Sequence, residues 1–329
     1  MFDRRRFLFG SGALLLGAHL PAFATSTPPL DGPRLIFGYP PGSIGSELGE
    51  SCLSIYNARA GGHFSFTNID SHNSRTATEL VKNGPADGTL LLQAQSTSMV
   101  LLPSVYRDLG YNPLQDFAPV VSLTQLSGSL TVGPLVPARV TNLAQYLDWV
   151  TDNPDLRDVG YAMYGSQGHM ATLMLARAKS VAISGRPYKG SLMMLKDLMS
   201  GGLAAGFTAA GNGNQDLWAS GKLRSLGVTG AHREAHWPNV PTLAEQGVAG
   251  MDLNAWYAWY APATTPPAVL QQLRDKAHTM KTAPEFAPLL KRLNLTALNL
   301  DPEQIQQLTT RELASYQQLV RQFGIRPLD

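Results

Sequence analysis

The sequence predicts an α/β protein built from two lobes, and three observations lead to that fold class. From about residue 33 onward, short apolar runs alternate with amphipathic segments across Gly-, Pro- and Ser-rich loops. This alternation is typical of βαβ units and parallel sheets. It occurs in two blocks, before and after about residue 130, and a chain of this length is long enough for two domains.

Each predicted element follows from its pattern. In the first block, strands are predicted over residues 34–39, 64–69 and 89–93, helices from Ser46 and over 76–82, and extended segments over 119–133. In the second block, the predictions are a helix 141–151 capped by Thr141, strand 159–163, helix 169–178, strand 181–183, helix 191–200, and strands 204–208 and 223–228. The C-terminal helices are 267–281, 283–292 and 302–323, the last two with proline in the first turn.

A helical tail that packs back on the first lobe makes that lobe discontinuous. We therefore expect one lobe from residues 25–130 together with 231–329, and the other lobe from residues 131–230. Ligands of open α/β sheets bind beyond the carboxyl ends of the strands. The strand-to-helix loops are therefore where a functional site is expected.

The first 24 residues have the pattern of an export signal. Arg4-Arg5 precedes Phe7-Leu8, an apolar run follows from Phe9 to Leu20, and Ala22-Phe23-Ala24 matches a signal-peptidase site. The paired arginines are typical of twin-arginine export. An uncleaved membrane anchor is the alternative, although this apolar run is too short to cross about 30 Å of hydrocarbon. We expect a periplasmic protein cleaved near Ala24.

Charge and cysteine content exclude several classes of partner. The first 24 residues hold three arginines and one aspartate, so the rest of the chain carries 23 basic and 23 acidic residues. A neutral chain without a basic cluster argues against nucleic acid or an anionic membrane surface. The single cysteine, Cys52, shares a helical face with Leu48 and Ile55, and it is predicted to be a buried core thiol.

Three predicted strand-to-helix loops are rich in Gly and Ser, at residues 40–46, 164–168 and 188–191. Each places backbone N–H groups at a helix start, where unpaired donors and a partial positive charge meet. Two or three such helix starts aimed into one cleft hold a carboxylate without any Arg or Lys. A single Gly/Ser-rich loop is an ordinary turn about half the time. The prediction therefore rests on three such loops at corresponding positions of successive βα units.

Catalytic and metal-binding alternatives are less well supported. Gly165-Ser166-Gln167-Gly168-His169 suggests a serine hydrolase, but Tyr164 stands where the nucleophile elbow needs glycine. His232 and His236 have i, i+4 spacing, but a predicted turn at Trp237-Pro238 interrupts them, and no cysteine or paired carboxylate supports a metal site. Neither a Walker A loop nor a G-x-G-x-x-G after a strand is present. We expect no metal and no cofactor.

Several segments together resemble the receptor family of tripartite tricarboxylate transporters, also called the Bug family. The similar segments are the Pro238–Gly247 stretch, the strand 221–229 before it, Trp256–Pro262 with Thr265-Pro266-Pro267, Ala86–Leu91, Leu109–Val120 and Pro187–Ser191. Each string is weak alone, but their shared order and spacing cover nearly the whole chain. The resemblance therefore concerns the chain as a whole.

The resemblance implies a type II periplasmic-binding-protein fold, in which two α/β lobes close on a ligand by hinge motion. It implies a small carboxylate ligand, namely a dicarboxylate, tricarboxylate or aromatic acid, and delivery of that ligand to integral-membrane permease subunits by a monomeric, non-enzymatic receptor. A ligand sensor of the same fold that docks on a signalling partner is the alternative.

The chain departs from the family pattern at two loops. The family has P-P-G-G-S-T-D where this chain has Pro40–Ser46, with Ser43 at the second glycine and Ser46 at the aspartate. It has E-N-R-P-G-A-G-G where this chain has Thr67–Ser74 and keeps only the asparagine. Glycines tolerate φ > 0 and close backbone approach. These departures are expected to change the ligand type at the first lobe, with Ile44 favouring a more apolar or aromatic acid.

The candidate ligand-binding residues come from both lobes. From the first lobe they are Gly42, Ser43, Ile44 and Ser46, with Gln95, Ser96 and Thr97 past the strand at 89–93. From the second lobe they are Gly165, Ser166, Gln167, His169, Lys189, Gly190, Ser191 and Thr208. Simpler interpretations exist: Lys189 as a surface residue, His169 as a helix cap, and Trp256 and Tyr257 as core aromatics rather than ligand platforms.

Overall fold

The computed structural model describes residues 32–210 and 215–329. The predicted export signal and its cleavage site lie outside these residues. Within the described part of the chain, no helix is both long and apolar enough to cross a bilayer.

The first sheet has six strands in the order β2-β1-β3-β10-β4-β11. The strands are β1 (Arg34–Phe37), β2 (Ser65–Asn68), β3 (Leu90–Gln95), β4 (Phe117–Leu126), β10 (Ala255–Pro262) and β11 (Thr296–Ala297). β1 is parallel to both β2 and β3, so the carboxyl ends of these three strands lie at one edge of the sheet. This edge carries the first candidate loops.

The second sheet has five strands in the order β7-β6-β8-β5-β9. The strands are β5 (Gly128–Val132), β6 (Asp158–Tyr161), β7 (Ser184–Pro187), β8 (Ala205–Ala209) and β9 (Arg224–Val228). β6 is parallel to β7 and to β8, so the loops after these strands also share one edge. Each sheet forms the centre of one lobe, and two lobes of α/β structure confirm the predicted fold class.

Ten α-helices accompany the sheets in the described residues. They are α1 (Ile44–Ala60), α2 (Arg75–Lys82), α3 (Leu102–Val105), α4 (Leu143–Asp152), α5 (Gln167–Lys179), α6 (Ser191–Ser200), α7 (Gln215–Ala219), α8 (Pro267–Thr282), α9 (Phe286–Leu293) and α10 (Pro302–Gln322). Short 3₁₀ segments at 72–74 and 154–156 and a π-helical turn at 97–101 complete the structure. α10 begins with a capping box between Asp301 and Gln304, as its predicted start indicated.

The expectation of parallel sheets is only partly right, because both sheets are mixed. β10 lies between β3 and β4 and is antiparallel to both. β5 is antiparallel to β8 and β9. β10 and β5 belong to the connections between the two sheets, and each runs against the strands of the βαβ units in its own sheet. The alternation of strands and helices along the chain does not predict the direction of these two strands.

Some predicted element positions were wrong. The residues predicted as a strand at 181–183 form no regular secondary structure: Val181 N donates to Ala176 O at the end of α5, and β7 starts at Ser184. Asn142, not Thr141, caps α4, and its side chain accepts from Gln145 N. Residues 255–262 resemble a family motif, and the sequence does not predict a strand there. Their Trp- and Tyr-rich run is nevertheless the central strand β10, buried on both faces.

The lobes are joined at Ser127, which alone separates β4 from β5. Its N–H donates to Glu234 Oε1 at 3.1 Å, and its hydroxyl donates to Asn254 Oδ1 at 2.9 Å. Gly128 N donates to Thr229 Oγ1 at 2.8 Å. Glu234, Asn254 and Thr229 belong to the return segment between β9 and β10, so the outgoing and returning connections are hydrogen-bonded together.

The main core lies between the first sheet and helices α1, α8 and α9, which pack against one another. Cys52 of α1 is fully buried there beside Leu48, which confirms the predicted core thiol. Trp256 and Tyr257 are also buried, as expected for core aromatics. A smaller apolar cluster under α6 supports the second sheet.

Candidate functional site

The two strand-end edges approach one another directly. Gln167, the first residue of α5, donates from Nε2 to Ser96 Oγ at 3.1 Å, although Ser96 follows β3 of the other lobe. Beside this bond, a Cβ on Gly165 would lie only 3.1 Å from Cγ1 of Val105 in α3. The loops after β3 and β6 are therefore in contact. This contact supports the prediction that the candidate loops lie along a single cleft.

The loop after β1 is ordered by the start of α1. Gly42 has φ +76°, and Ser43 caps α1 through its hydroxyl, which accepts from Ser46 N at 3.3 Å. Ile44 is the first helical residue and is partly buried against the core. Gly45 cannot carry a side chain, because a Cβ would meet Phe37 and Tyr257 within 3 Å. The helix N-terminus thus rests on aromatic rings.

Ser46 is buried, and its hydroxyl links the first two loops of the first lobe. It contacts the Asn68 side chain at 3.1–3.2 Å, and it donates to Glu50 Oε1 at 3.1 Å. Asn68 also donates to Tyr39 O at 2.9 Å. Asn68 is thus a positioning residue between the loops after β1 and β2. The candidate list omitted it, although it is the asparagine retained from the family motif.

Ser96 connects the loop after β3 to β10 and to the second lobe by hydrogen bonds. Gln95 is the last residue of this strand, not a residue past it as predicted, and donates to Tyr257 Oη at 3.3 Å. The Ser96 hydroxyl accepts from Trp256 N at 3.3 Å as well as from Gln167. Thr97 is buried near the Tyr39 hydroxyl, and burial raises the pKa of Tyr39 well above its usual value. Tyr39 is therefore a neutral hydroxyl at this edge.

Trp256 extends this hydrogen-bonded chain into α10. Its indole N–H donates to Glu312 Oε2 at 2.8 Å. Burial raises the pKa of Glu312 to about 7, and the indole bond opposes that shift. The chain Gln167–Ser96–Trp256–Glu312 therefore links the second lobe, through the centre of the first sheet, to the C-terminal helix.

The loop after β6 is internally hydrogen-bonded, and its last two residues, Gly165 and Ser166, are buried. Gly165 has φ +78°, and Ser166 caps α5 by accepting from His169 N at 3.3 Å. His169 Nδ1 in turn accepts from Gly165 N at 3.1 Å. The imidazole stacks on Tyr161, with ring centroids 4.5 Å apart, and contacts Tyr164 at 4.7 Å. Ser166 and His169 therefore close the loop upon itself.

His169 is only 6% exposed, and this burial lowers its pKa to about 4. The ring is neutral near pH 7, and it holds a backbone N–H rather than the Ser166 hydroxyl. The Ser166 hydroxyl accepts from a backbone N–H and is not hydrogen-bonded to the imidazole ring. This is not the nucleophile–base pair that a serine hydrolase requires.

The loop after β7 is open by comparison. Lys189, Gly190 and Ser191 are all exposed. Gly190 stands at the N-cap of α6 with φ +100° and ψ 162°, and no side chain caps this helix. Leu192 and Met193 in the first turn are 78% and 57% exposed. The first-turn N–H groups of α6 therefore lack the side-chain acceptor that α1 and α5 have.

Thr208 lies near the end of β8 and is buried. Its hydroxyl bonds with Thr131 Oγ1 at 2.7 Å, and Thr131 contacts Ser129 Oγ at 3.0 Å. Ser129 bonds with Ser225 Oγ at 2.6 Å. Thr208 thus ends a row of hydrogen-bonded hydroxyls that crosses three strands of the second sheet. These partners lie on strands far apart along the chain, so the sequence alone does not predict them.

The candidate metal ligands do not form a site. Among residues 32–210 and 215–329, no cluster of three or more His, Cys, Asp or Glu residues could hold a metal ion. His232 is exposed, while His236 packs beside Trp237 with ring centroids 5.2 Å apart. A pair of histidines at i, i+4 spacing needs a continuous helix to converge, and this segment is a turn.

Two α/β lobes with facing strand-end loops and helix N-termini at the cleft define a ligand-binding protein of the two-lobed type. The chain belongs to the family described as tripartite tricarboxylate transporter family receptor, whose model matches residues 68–325. This finding confirms the resemblance drawn from the motifs. The curated relatives include a UPF0065 protein from the tcbD-tcbE intergenic region of Pseudomonas sp. (strain P51), 29% identical over 75% of this chain and 73% of its own length.

Solved structures agree with the fold. The R. palustris protein Rpa4515, solved with adipate, is 26% identical, with a TM-score of 0.81 over 91% of this chain and 99% of its own. The periplasmic binding protein BugD is 22% identical, with a TM-score of 0.78 over 90% of this chain and 98% of its own. The chain is therefore similar to whole two-lobed binding proteins rather than to a fragment of one.

Proposed function

We propose that this chain is a periplasmic receptor that captures a small carboxylate and delivers it to integral-membrane permease subunits, without chemical conversion of the ligand. The observation that carries the proposal is the uncapped N-terminus of α6, on the edge of the second lobe that contacts the first lobe at Ser96. Unpaired backbone N–H groups with a partial positive charge bind anions without a basic side chain.

The chemistry of the other loops supports an anionic ligand. The starts of α1 and α5 add the hydroxyls of Ser43 and Ser166 and further backbone N–H groups at the same two edges. Rpa4515 was solved with adipate, a dicarboxylate, which makes acids of this size suitable first ligands. His169 is neutral and hydrogen-bonded to backbone, so it shapes the loop and does not activate Ser166.

A thermal-shift panel tests the ligand class. The protein is first unfolded and refolded to remove co-purified ligand, and then titrated with succinate, adipate, malate, citrate and benzoate. An acid present at 100 times its Kd adds about 2.7 kcal/mol to the free energy of unfolding. For a chain of this size that raises Tm by several degrees. Failure of every acid to shift Tm would contradict the proposal.

Transport is tested separately in cells. Deletion of the gene is expected to abolish uptake of the acid identified by the panel, and the full-length gene is expected to restore uptake. Acid binding without any effect of the deletion on uptake would favour the sensor alternative. A single species at the monomer mass in size-exclusion chromatography checks the proposed monomeric state.

A further inference from the structure

The loop after β2 has the most strained backbone in the described residues. His72, Asn73 and Ser74 are consecutive, and their φ values are 49°, 54° and 71°. Among residues 32–210 and 215–329 only two other non-glycine residues have positive φ, Ser180 and Asn294, and both end helices. Non-glycine residues persist in this conformation where the surrounding structure enforces it, and such strain clusters at ligand sites.

Packing enforces the left-handed backbone at one end of the turn only, at Ser74. Ser74 is buried and lies against Gly38, where a Cβ would come within 2.1 Å of the Ser74 hydroxyl. Ser74 O accepts from Thr78 Oγ1 at 2.9 Å. His72 and Asn73, by contrast, are exposed. Ser74 therefore anchors the turn, and the turn presents the two preceding side chains outward.

This loop stands at the strand-end edge of the first sheet. It follows β2, which is parallel to β1, and its Ser74 touches Gly38 at the end of β1. Asn73 Nδ2 contacts Tyr106 Oη at 3.4 Å, and Tyr106 is next to Val105, the residue that meets Gly165 of the second lobe. His72 and Asn73 therefore lie between the loop after β1 and the contact of the two lobes.

The exposed groups form a set of hydrogen-bond donors. His72 Nδ1 lies 2.7 Å from Ser71 Oγ and 3.1 Å from Thr76 Oγ1. When these hydroxyls donate, Nδ1 accepts and the imidazole proton is on Nε2, which then donates outward. Tyr106, which accepts from Asn73, has its own hydroxyl proton to give. The Arg75 guanidinium lies over the Tyr106 ring, 4.7 Å from its centroid, and its Nε lies 3.9 Å from Glu79 Oε1.

We infer that His72 and Asn73 form a second subsite that binds a second acceptor group of the ligand, so that the receptor selects a dicarboxylate over a monocarboxylate of equal chain length. This inference rests on the proposed function, because the first carboxylate is held by the helix N-termini. Glycines would form the same turn without strain. The side chains at these positions therefore supply contacts that glycines would not, at a cost in stability.

The test compares adipate with hexanoate, which have equal chain length, by calorimetric titration of the wild type and of H72G/N73G. Loss of a hydrogen bond to a charged group is worth roughly tenfold in affinity. We expect the variant to bind adipate about tenfold more weakly and hexanoate unchanged within about twofold. Its Tm should rise by about 2 °C because strain is relieved. S180G is the matched control, since it relieves a left-handed serine at the far end of α5 and should leave both affinities unchanged.

Asn73→Asp supplies a second variant, because aspartate tolerates the left-handed conformation and its charge repels a carboxylate. It should weaken adipate binding more than hexanoate binding. An unchanged adipate-to-hexanoate ratio in both variants would overturn the inference, as would an equal loss for both acids. If the wild type binds neither acid, the full thermal-shift panel decides the proposed ligand class by itself. Mass spectrometry of co-purified small molecules then decides, since identical sets from wild type and H72G/N73G would also refute the subsite.

Discussion

The helices α5 and α6 begin at the same edge of the second lobe, yet their N-termini are built differently. α5 starts from a buried loop with a serine cap, a histidine that accepts a backbone N–H, and direct contacts to Ser96 and Val105 of the other lobe. α6 starts from a glycine without any side-chain cap, and its first turn is exposed.

The difference indicates that the two helix starts have different roles, one in stability and the other in ligand affinity. The α5 loop is already organised and holds the lobes in register, so substitutions there should act first on stability. The α6 loop has donors that no protein side chain satisfies, so substitutions there should act on ligand affinity.

The largest expected effect is at Ser191. Ser191→Trp places a large ring over the open N–H groups of α6, so acid affinity should fall more than about 100-fold, equivalent to about 2.7 kcal/mol. Tm should stay within about 1 °C because the site is exposed. Ser200→Trp, at the other end of the same helix, is the control and should bind normally. Normal affinity of Ser191→Trp would place the ligand elsewhere.

A pH effect at His169 comes next. Its pKa is about 4 in the folded protein and about 6.5 when unfolded, so only the unfolded chain takes up the proton between these values. The free energy of unfolding should therefore fall as the pH drops from about 6.5 to 4, by about 3 kcal/mol from this group. Chemical denaturation of wild type and His169→Gln over this range isolates the effect from that of His236, whose pKa burial also lowers. Parallel curves would show that His169 is not responsible.

Gly165→Ala should be destabilising by about 2 kcal/mol, because alanine is strained at φ +78° and its Cβ would crowd Val105. Gly221→Ala separates these two causes, since Gly221 has φ +73° and nothing within 4 Å of a Cβ. The two variants should differ in Tm, with Gly165→Ala the lower. Equal values would mean that the contact between the lobes adds no constraint.

The smallest effect is expected for Ser166→Ala, which removes the α5 cap and should cost about 1 kcal/mol in unfolding free energy. Ser166→Asn keeps a cap and should lie close to wild type. The acid affinity of Ser166→Ala should fall far less than that of Ser191→Trp. Reaction of Ser166 with a fluorophosphonate probe would instead support a nucleophilic serine.

Local signals in the sequence were sufficient for most elements and for the loops at the strand ends. Glycine-serine loops before helices correctly marked the starts of α1, α5 and α6, because caps are formed by neighbours in sequence. The central strand β10 was missed, because its place depends on pairing with β3 and β4, which are far away along the chain. The contact of Gln167 with Ser96 has the same origin.

The left-handed turn at 72–74 shows a different limit. Comparison with the family motif revealed that glycines are absent there, and glycine loss alone would suggest that the loop had lost its left-handed conformation. The structure keeps that conformation with His72, Asn73 and Ser74. The reason is the packing of Ser74 on Gly38, a contact between two loops that no local rule contains.

The single-residue link at Ser127 has a mechanical consequence. A link one residue long between two strands permits rotation but allows a separation of only about 3.5 Å. The lobes can therefore turn about this point while remaining at nearly constant distance. β7 lies three strands from β5 in the second sheet, which corresponds to roughly 14 Å. A rotation of the second lobe about Ser127 would therefore displace the N-terminus of α6 farther than residues close to the link.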